Sequence, residues 1–289
     1  MEKEYRISKQ DLEEYLKQGI STKDIENITG IKSYNITYYI EKYGIRNLNR
    51  YCKVFYKDEN FFKRIDTKEK AYALGFLIGD SHIEKNRNGM EISIALQDRE
   101  ILYKISDWIG CRVVETNITK REKKLFPKAR VHIVNNSLVK DLKMLFGGRL
   151  KEERRLPIIK KELECFLVQG FFDAEGCITW GKRKDRDRYW QKISFTSQLK
   201  ILIGIQNILL KNDIATRLYP KNNENCYVLE FTNRDRVLKA LDFIYSDKNF
   251  VILRRKFDKA NALRRELGEN GEGVNDSNNT VPSLPSRKV

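Results

Sequence analysis

Two nine-residue segments of this chain read as copies of each other. Residues 73–81 (ALGFLIGDS) and 168–176 (VQGFFDAEG) each carry an early glycine, Gly75 or Gly170, and an acid five positions later, Asp80 or Glu175. The offset is the same for both pairs, because 170 − 75 = 175 − 80 = 95. Glycines allow two backbones to approach closely, so two such helices can pack together and end side by side. The repeat therefore predicts a duplicated fold with paired carboxylates at a pseudo-twofold axis, as metal-dependent phosphodiester cleavage requires.

The duplication continues downstream of each segment. Apolar residues with period two, then period three to four, recur in the same order after both copies. We predict an α+β fold of two pseudo-symmetric αββαββα halves, residues 71–157 and 158–247. In the first half we expect a hairpin at 83–85 and 90–96, a helix at 101–109, strands near 112–118 and 129–134, and a helix at 137–146. In the second we expect a hairpin at 178–181 and 189–195, a helix at 198–211, strands near 215–219 and 227–231, and a helix at 235–245.

The first 45 residues have a pattern of their own. Three short amphipathic segments are separated by Gly19 and Gly30 and closed by Gly44, which resembles a small all-α helix-turn-helix module. The alternative is a helical cap that packs on the main domain. If the module reads DNA, the contacts fall on its third helix, at Lys32, Tyr34, Asn35 and Tyr38.

Three further segments complete the chain. Residues 46–70 are basic and aromatic and are expected to form a linker, and residues 248–267 a basic helix. Residues 268–289 are rich in Gly, Asn, Ser and Pro, which predicts a disordered tail.

The charge balance indicates a polyanionic partner. The chain has 56 Lys and Arg against 40 Asp and Glu, a net charge of +16, and phosphate neutralisation supplies most of the non-specific affinity for nucleic acid. The alternative is a protein with many solvated surface lysines. Five scattered cysteines and two histidines give poor support to a zinc site or an HNH-type nuclease. With no apolar run of about eighteen residues and a charged amino terminus, we expect a soluble cytoplasmic protein.

The two motifs, their spacing and the strand order that follows resemble the LAGLIDADG homing endonucleases, in their single-chain form with two motifs. The resemblance spans about 71–247. Ile78 and Ser81 depart from the usual spelling of the first motif, whereas the acidic position is intact in both copies. Residues 61–76 resemble the lead-in of bacterial and phage members with an amino-terminal helix-turn-helix. The resemblance implies a monomer that makes a double-strand break with short 3′ overhangs at a long site in DNA.

It also implies a metal site at the ends of the motif helices. Asp80 and Glu175 would bind Mg²⁺ together with the carbonyls of Gly79 and Ala174, helped by the negative end of each helix dipole. Mn²⁺ is expected to substitute, and Ca²⁺ to bind without cleavage. Gln97 and Gln198 match a position that organises water near the scissile phosphate, although a polar strand-end residue is an equal alternative. A basic residue is expected near each site, with Lys192 and Lys221 the candidates in the second half, and His132 or Arg130 in the first.

The resemblance assigns sequence reading to two four-stranded sheets that form a saddle over the major groove. Each basic residue there contacts a base, contacts a phosphate or is simply solvated. Besides Lys192 and Lys221, the candidates are Lys85, Arg87, Lys120, Arg121, Arg130, Lys182, Arg183, Arg186, Arg188 and Arg217.

Two functions without cleavage remain open on the same fold. An intron maturase would bind intron RNA, and a transcription regulator would bind DNA after losing its acids. Both acids are present here, which favours a nuclease. The target sequence and the host element, an intron or a free-standing gene, are not set by the sequence.

Overall fold

The structure of the protein is a computed structural model. This structure describes residues 7–17, 20, 22–45, 57–84, 89–116, 120–121, 124–125, 127–182, 189–221, 225–250 and 252–269. Within these ranges, no helix combines the length and the apolar character needed to cross a bilayer.

Three short helices form the amino-terminal module, with a hydrophobic core separate from that of the main body. Ser8 begins the first helix, because its Oγ accepts a hydrogen bond from the Asp11 backbone N–H at 3.0 Å. Gly30 and Gly44 adopt φ of 73° and 68°, a left-handed conformation that favours glycine and ends the second and third helices. The helices are α1 (Lys9–Lys17), α2 (Thr22–Thr29) and α3 (Ser33–Lys42).

The first half has the predicted αββαββα order around an antiparallel sheet. Strand β2 (Met90–Ala95) alternates buried Met90, Ile92 and Ile94 with more accessible Glu91 and Ser93, so one face of the sheet packs on helices and the other faces outward. The sheet has the strand order β1 (Ser81–Ile83), β2, β6 (Lys128–Ile133) and β3 (Val113–Thr116). The elements are α4 (Lys68–Asp80), β1 (Ser81–Ile83), β2 (Met90–Ala95), a 3₁₀ turn (Leu96–Asp98), α5 (Glu100–Ile109), β3 (Val113–Thr116), β4 (Lys120–Arg121), β5 (Lys124–Leu125), β6 (Lys128–Ile133) and α6 (Asn136–Phe146). The small β4–β5 hairpin was not predicted.

The second half repeats this order, with the sheet β7-β8-β10-β9. Its hairpin is longer than predicted, because pairing continues from Gly176↔Phe195 to Lys182↔Tyr189. The elements are a 3₁₀ turn (Lys161–Leu163), α7 (Glu164–Glu175), β7 (Gly176–Lys182), β8 (Tyr189–Ser197), α8 (Leu199–Lys211), β9 (Arg217–Pro220), β10 (Tyr227–Phe231) and α9 (Arg234–Ile244). The prediction of two matching halves is confirmed.

The motif helices α4 and α7 pack against each other at the centre of the molecule. Both are mostly buried: residues 71–79 of α4 and residues 167–173 of α7 are all buried, as expected of central helices. A Cβ atom on Gly75 would lie 2.0 Å from the Leu167 carbonyl oxygen, and one on Gly170 would lie 2.0 Å from the Tyr72 carbonyl oxygen. No side chain fits at either position, so both glycines are required by the helix contact, as the sequence indicated.

The C-terminal helix, α10 (Arg254–Glu269), begins six residues later than the predicted start at 248 and runs two residues beyond the predicted end. Before it, residues 247–250, which we call the crossing segment, lie across both motif helices. The Phe250 ring packs edge-on against Tyr72 at 5.8 Å and Phe166 at 5.2 Å, and its carbonyl accepts from Gln169 Nε2 at 2.9 Å. Side-chain bonding and ring packing thus replace helix formation in this segment.

Candidate active site

Asp80 and Glu175 are the last residues of the two motif helices. The last turns of these helices touch, because a Cβ atom on Gly79 would lie 2.7 Å from Ala174 Cβ and 2.9 Å from Glu175 Cγ. Ser81 and Gly176 then begin the first strand of each half. The fold therefore brings the two acids to one place at the junction of the halves, as the repeat predicted.

The environment of the acids disfavours their ionised forms. The pKa of Asp80 is raised from the usual 3.8 to about 6, first by burial and then by repulsion from Glu175. Burial also raises the pKa of Glu175. Lys151 and Lys256 act in the opposite direction on both carboxyls. Two partly desolvated carboxylates that repel each other gain most from a shared or bridging cation.

The donor set fits a hard divalent ion. Carboxylate and carbonyl oxygens are the ligands that Mg²⁺ and Ca²⁺ prefer, and the ends of α4 and α7 supply both kinds. Lys151 Nζ donates to the Gly79 carbonyl oxygen at 3.0 Å. A carbonyl oxygen has two lone pairs, so this bond leaves one free for a metal. In the described part of the chain, no group of three or more His, Cys, Asp or Glu could hold a metal ion.

The sequence did not identify Lys151 or Lys256 as neighbours of the acids. Lys151 lies in the irregular segment after α6, and Lys256 lies in α10. Neither belongs to a motif, and each reaches the acids only because a distant segment folds back onto the end of a motif helix.

The basic residues proposed from the sequence lie on the sheets instead. Lys192 of β8 is 3.8 Å from Glu230, and Lys221 follows β9. In the first half, His132 Nε2 is 3.0 Å from Glu84 Oε1, and Arg130 is 3.8 Å from Glu91. An assisting role of these four residues stays a prediction.

Gln97 and Gln198 occupy equivalent places. Each follows the second strand of its half, Gln97 in the 3₁₀ turn and Gln198 as the residue before α8. Gln97 is exposed, and Gln198 is half-buried. Their role near the scissile phosphate stays a prediction.

The outward sheet faces carry several of the proposed DNA contacts. Arg130 on β6 and Lys192 on β8 are partly exposed, and each forms an ion pair with a carboxylate on its own sheet. Arg217 on β9 and Lys182 at the end of β7 are exposed. Lys120 and Arg121 form β4, of which the backbone alone is described. Lys85, Arg87, Arg183, Arg186 and Arg188 lie outside the described residues.

In the amino-terminal module, the third helix presents two aromatic side chains. Tyr34 and Tyr38 are 71% and 56% exposed, so both rings are accessible to a binding partner. Asn35 is half-buried, and Lys32 forms an ion pair with Glu26 at 3.0 Å. DNA reading by this helix stays a prediction.

Comparison with protein families gives a match between residues 162–245 and the model of the LAGLIDADG-like domain. Residues 162–245 are thus similar to a LAGLIDADG-like domain. This region contains Glu175 and extends from the 3₁₀ turn before α7 to the end of α9. The first half repeats the topology of this LAGLIDADG-like domain and contributes Asp80. Comparison with curated proteins gives no match.

This chain also resembles solved structures. The meganuclease I-SmaMI, bound to uncleaveable DNA with a TTGT central four, aligns with a TM-score of 0.51 at 9% identity, covering 72% of this chain and 91% of that one. The LAGLIDADG meganuclease I-AabMI, bound to uncleaved DNA, aligns with a TM-score of 0.48 at 15% identity, covering 69% and 91%. The I-LtrWI LAGLIDADG homing endonuclease, bound to target DNA, aligns with a TM-score of 0.49 at 10% identity, covering 70% of this chain and 91% of that one. The first of these matches establishes the two-domain LAGLIDADG fold.

Proposed function

We propose that this protein is a divalent-metal-dependent endonuclease that cuts both strands of DNA at a long recognition site. The observation that carries the proposal is the meeting of Asp80 and Glu175 at the touching ends of two buried helices. Partial desolvation of both acids is costly and has no evident structural benefit, whereas it suits a site that binds a cation.

Asp80 and Glu175 would hold the metal with the carbonyls of Gly79 and Ala174. A Mg²⁺ ion held by these groups would supply activation of water and stabilisation of the leaving 3′ oxygen, with Mn²⁺ expected to substitute and Ca²⁺ to support binding alone. Lys151 holds a positive charge beside both acids and fixes the Gly79 carbonyl, so it can pair with the phosphate that enters. Gln97 and Gln198 would order water on either side. Each acid serves mainly one strand.

The outward faces of the two sheets would bind the DNA. The net charge of +16 supports a polyanionic partner, and the meganuclease I-SmaMI, which shares the fold, is bound to DNA in its structure. One chain supplies both acids, which supports action as a monomer. The amino-terminal module would extend the recognised site on one side through its third helix. In the cell, such a nuclease would serve homing of an intron or another mobile element.

Cleavage of candidate host sequences that lack the mobile element tests the proposal, with Mg²⁺ compared with EDTA. We expect metal-dependent double-strand cleavage by the natural protein. Asp80→Asn or Glu175→Gln should abolish it while leaving DNA binding in Ca²⁺ nearly intact. Glu59→Gln is a matched control, because it removes an exposed carboxylate that belongs to neither motif.

Two results would overturn the proposal. Tight binding of intron RNA without cleavage of any DNA would identify a maturase. Sequence-specific DNA binding that neither Mg²⁺ nor Mn²⁺ converts into cleavage would identify a regulator.

A further inference from the structure

A buried arginine donates hydrogen bonds to the end of the first motif helix. Arg154, in the segment after α6, is 1% exposed. Its Nη1 donates to the Ile78 carbonyl oxygen at 2.9 Å and more weakly to that of Leu77 at 3.4 Å, and its Nη2 donates to that of Ser81 at 3.0 Å. Burial lowers the pKa of Arg154 to about 10, so the guanidinium stays charged at neutral pH.

A buried lysine donates hydrogen bonds to the end of the second motif helix. Lys256, in α10, is 8% exposed. Its Nζ donates to the carbonyl oxygens of Phe172 at 2.6 Å, Asp173 at 2.8 Å and Gly176 at 2.8 Å. All three donors of the ammonium group are thus used by the backbone.

The two cations bind equivalent atoms. Phe172, Asp173 and Gly176 lie 95 residues after Leu77, Ile78 and Ser81, the same offset that relates the two motifs. Arg154 and Lys256 themselves are not related by that offset, and they lie on different kinds of element, a loop and a helix. Two unrelated segments therefore supply a cation to the same place in each half.

The carbonyls that each cation binds lie on both sides of the acid. In each half, the cation joins carbonyls two and three residues before the acid to the carbonyl directly after it. The backbone on both sides of Asp80, and on both sides of Glu175, is therefore held by one charged group. The Leu77 and Phe172 carbonyls also accept from the backbone N–H groups of Ser81 and Gly176. Because the carbonyls at a helix end carry partial negative charge, a cation there stabilises the last turn and fixes the exit of the chain.

We propose that Arg154 and Lys256 are matched positioning residues, one in each half, which set the direction in which Asp80 and Glu175 project into the shared site. This inference rests on the proposed nuclease function, in which each acid serves mainly one strand. It predicts that loss of one cation disorders one acid and leaves the other in place.

The test uses the full chain with Arg154→Met or Lys256→Met. Arg155→Met and Lys259→Met are matched controls, because they make the same change at exposed neighbours on the same segments. The first readout needs no cleavage. Hydrogen exchange of peptides covering 77–83 and 172–178 should speed up at least tenfold in the half that loses its cation, and change less than twofold in the other half and in both controls.

The second readout is strand-resolved nicking of the target in Mg²⁺. Arg154→Met should slow cleavage of one strand at least tenfold and Lys256→Met that of the opposite strand, each leaving the other strand within about threefold. Where a methionine variant does not fold, Arg154→Lys and Lys256→Arg carry the test. They keep the charge but change the donor geometry, and should slow the same strand by a smaller factor.

Equal slowing of both strands, or faster exchange in both halves, would show a purely structural role and overturn the inference. Failure of the natural protein to cleave DNA is a different outcome. It would refute the proposed function, while the hydrogen-exchange pattern would still decide whether each cation holds its own helix end.

Discussion

Replacing Gly75 with alanine tests the close crossing of the two motif helices. The new methyl carbon would lie 2.0 Å from the Leu167 carbonyl oxygen and 2.9 Å from the Phe171 backbone nitrogen. Real Cβ atoms essentially never approach other atoms within 3.0 Å, so α4 and α7 would have to separate by about 1 Å. Both obstructing atoms belong to the backbone, so no side-chain rotation can relieve the clash.

The magnitude follows from two opposing effects. Overpacking a core costs about 1–3 kcal/mol, and we expect about 3 kcal/mol here, because a whole helix has to move. Alanine regains about 1 kcal/mol through its higher helix propensity. The net loss of about 2 kcal/mol should lower the melting temperature by about 4–8 °C. Because the acids stand at the ends of these helices, a displacement of about 1 Å should also reduce cleavage about a hundredfold.

Thermal unfolding of the metal-free protein and cleavage at a fixed Mg²⁺ concentration are the assays. Gly268→Ala is the matched control, since Gly268 also lies in a helix but has nothing within 4 Å of its Cβ position. That variant should be as stable as the natural protein or slightly more stable, and fully active. If Gly75→Ala behaved like Gly268→Ala in both assays, the tight crossing of the motif helices would be wrong.

Three further results are expected. Asp80→Asn should stabilise the metal-free protein at pH 7.5 by up to about 3 kcal/mol, because the pKa of Asp80 is about 6 in the folded protein rather than 3.8, so its ionisation makes folding less favourable as the pH rises through 6. Urea unfolding should show that this gain in stability shrinks towards pH 4. A gain that did not vary with pH would count against the raised pKa. Lys151→Met should move the acidic limb of the pH–rate profile to higher pH, since this cation lowers the pKa of both Asp80 and Glu175. A limb at unchanged pH would show that Lys151 does not affect the ionisation of the acids. Deletion of residues 1–45 should weaken DNA binding in a gel-shift assay without changing the cleavage rate at saturating protein, whereas loss of folding would show that the module is a structural cap.

Much of the fold could be predicted because its determinants are local. The alternation of Met90, Ile92 and Ile94 with polar residues specifies a half-buried strand wherever it occurs, and the predicted order of elements is confirmed in both halves. The segment after Ile244 was harder. Its helix starts at Arg254, after Phe250 has packed against rings from both halves, and a pattern of short sequence range does not contain such long-range contacts.

The sequence by itself determined the duplicated architecture and the paired acids, because the glycine, the apolar residues and the acid recur at the same spacing in both motifs. It could not identify the cations around those acids. Lys151 lies 72 positions from Gly79, and Lys256 lies 84 positions from Phe172. In the sequence each is one lysine among many. The tertiary structure alone decides which of them donate to the carbonyls at the end of a motif helix.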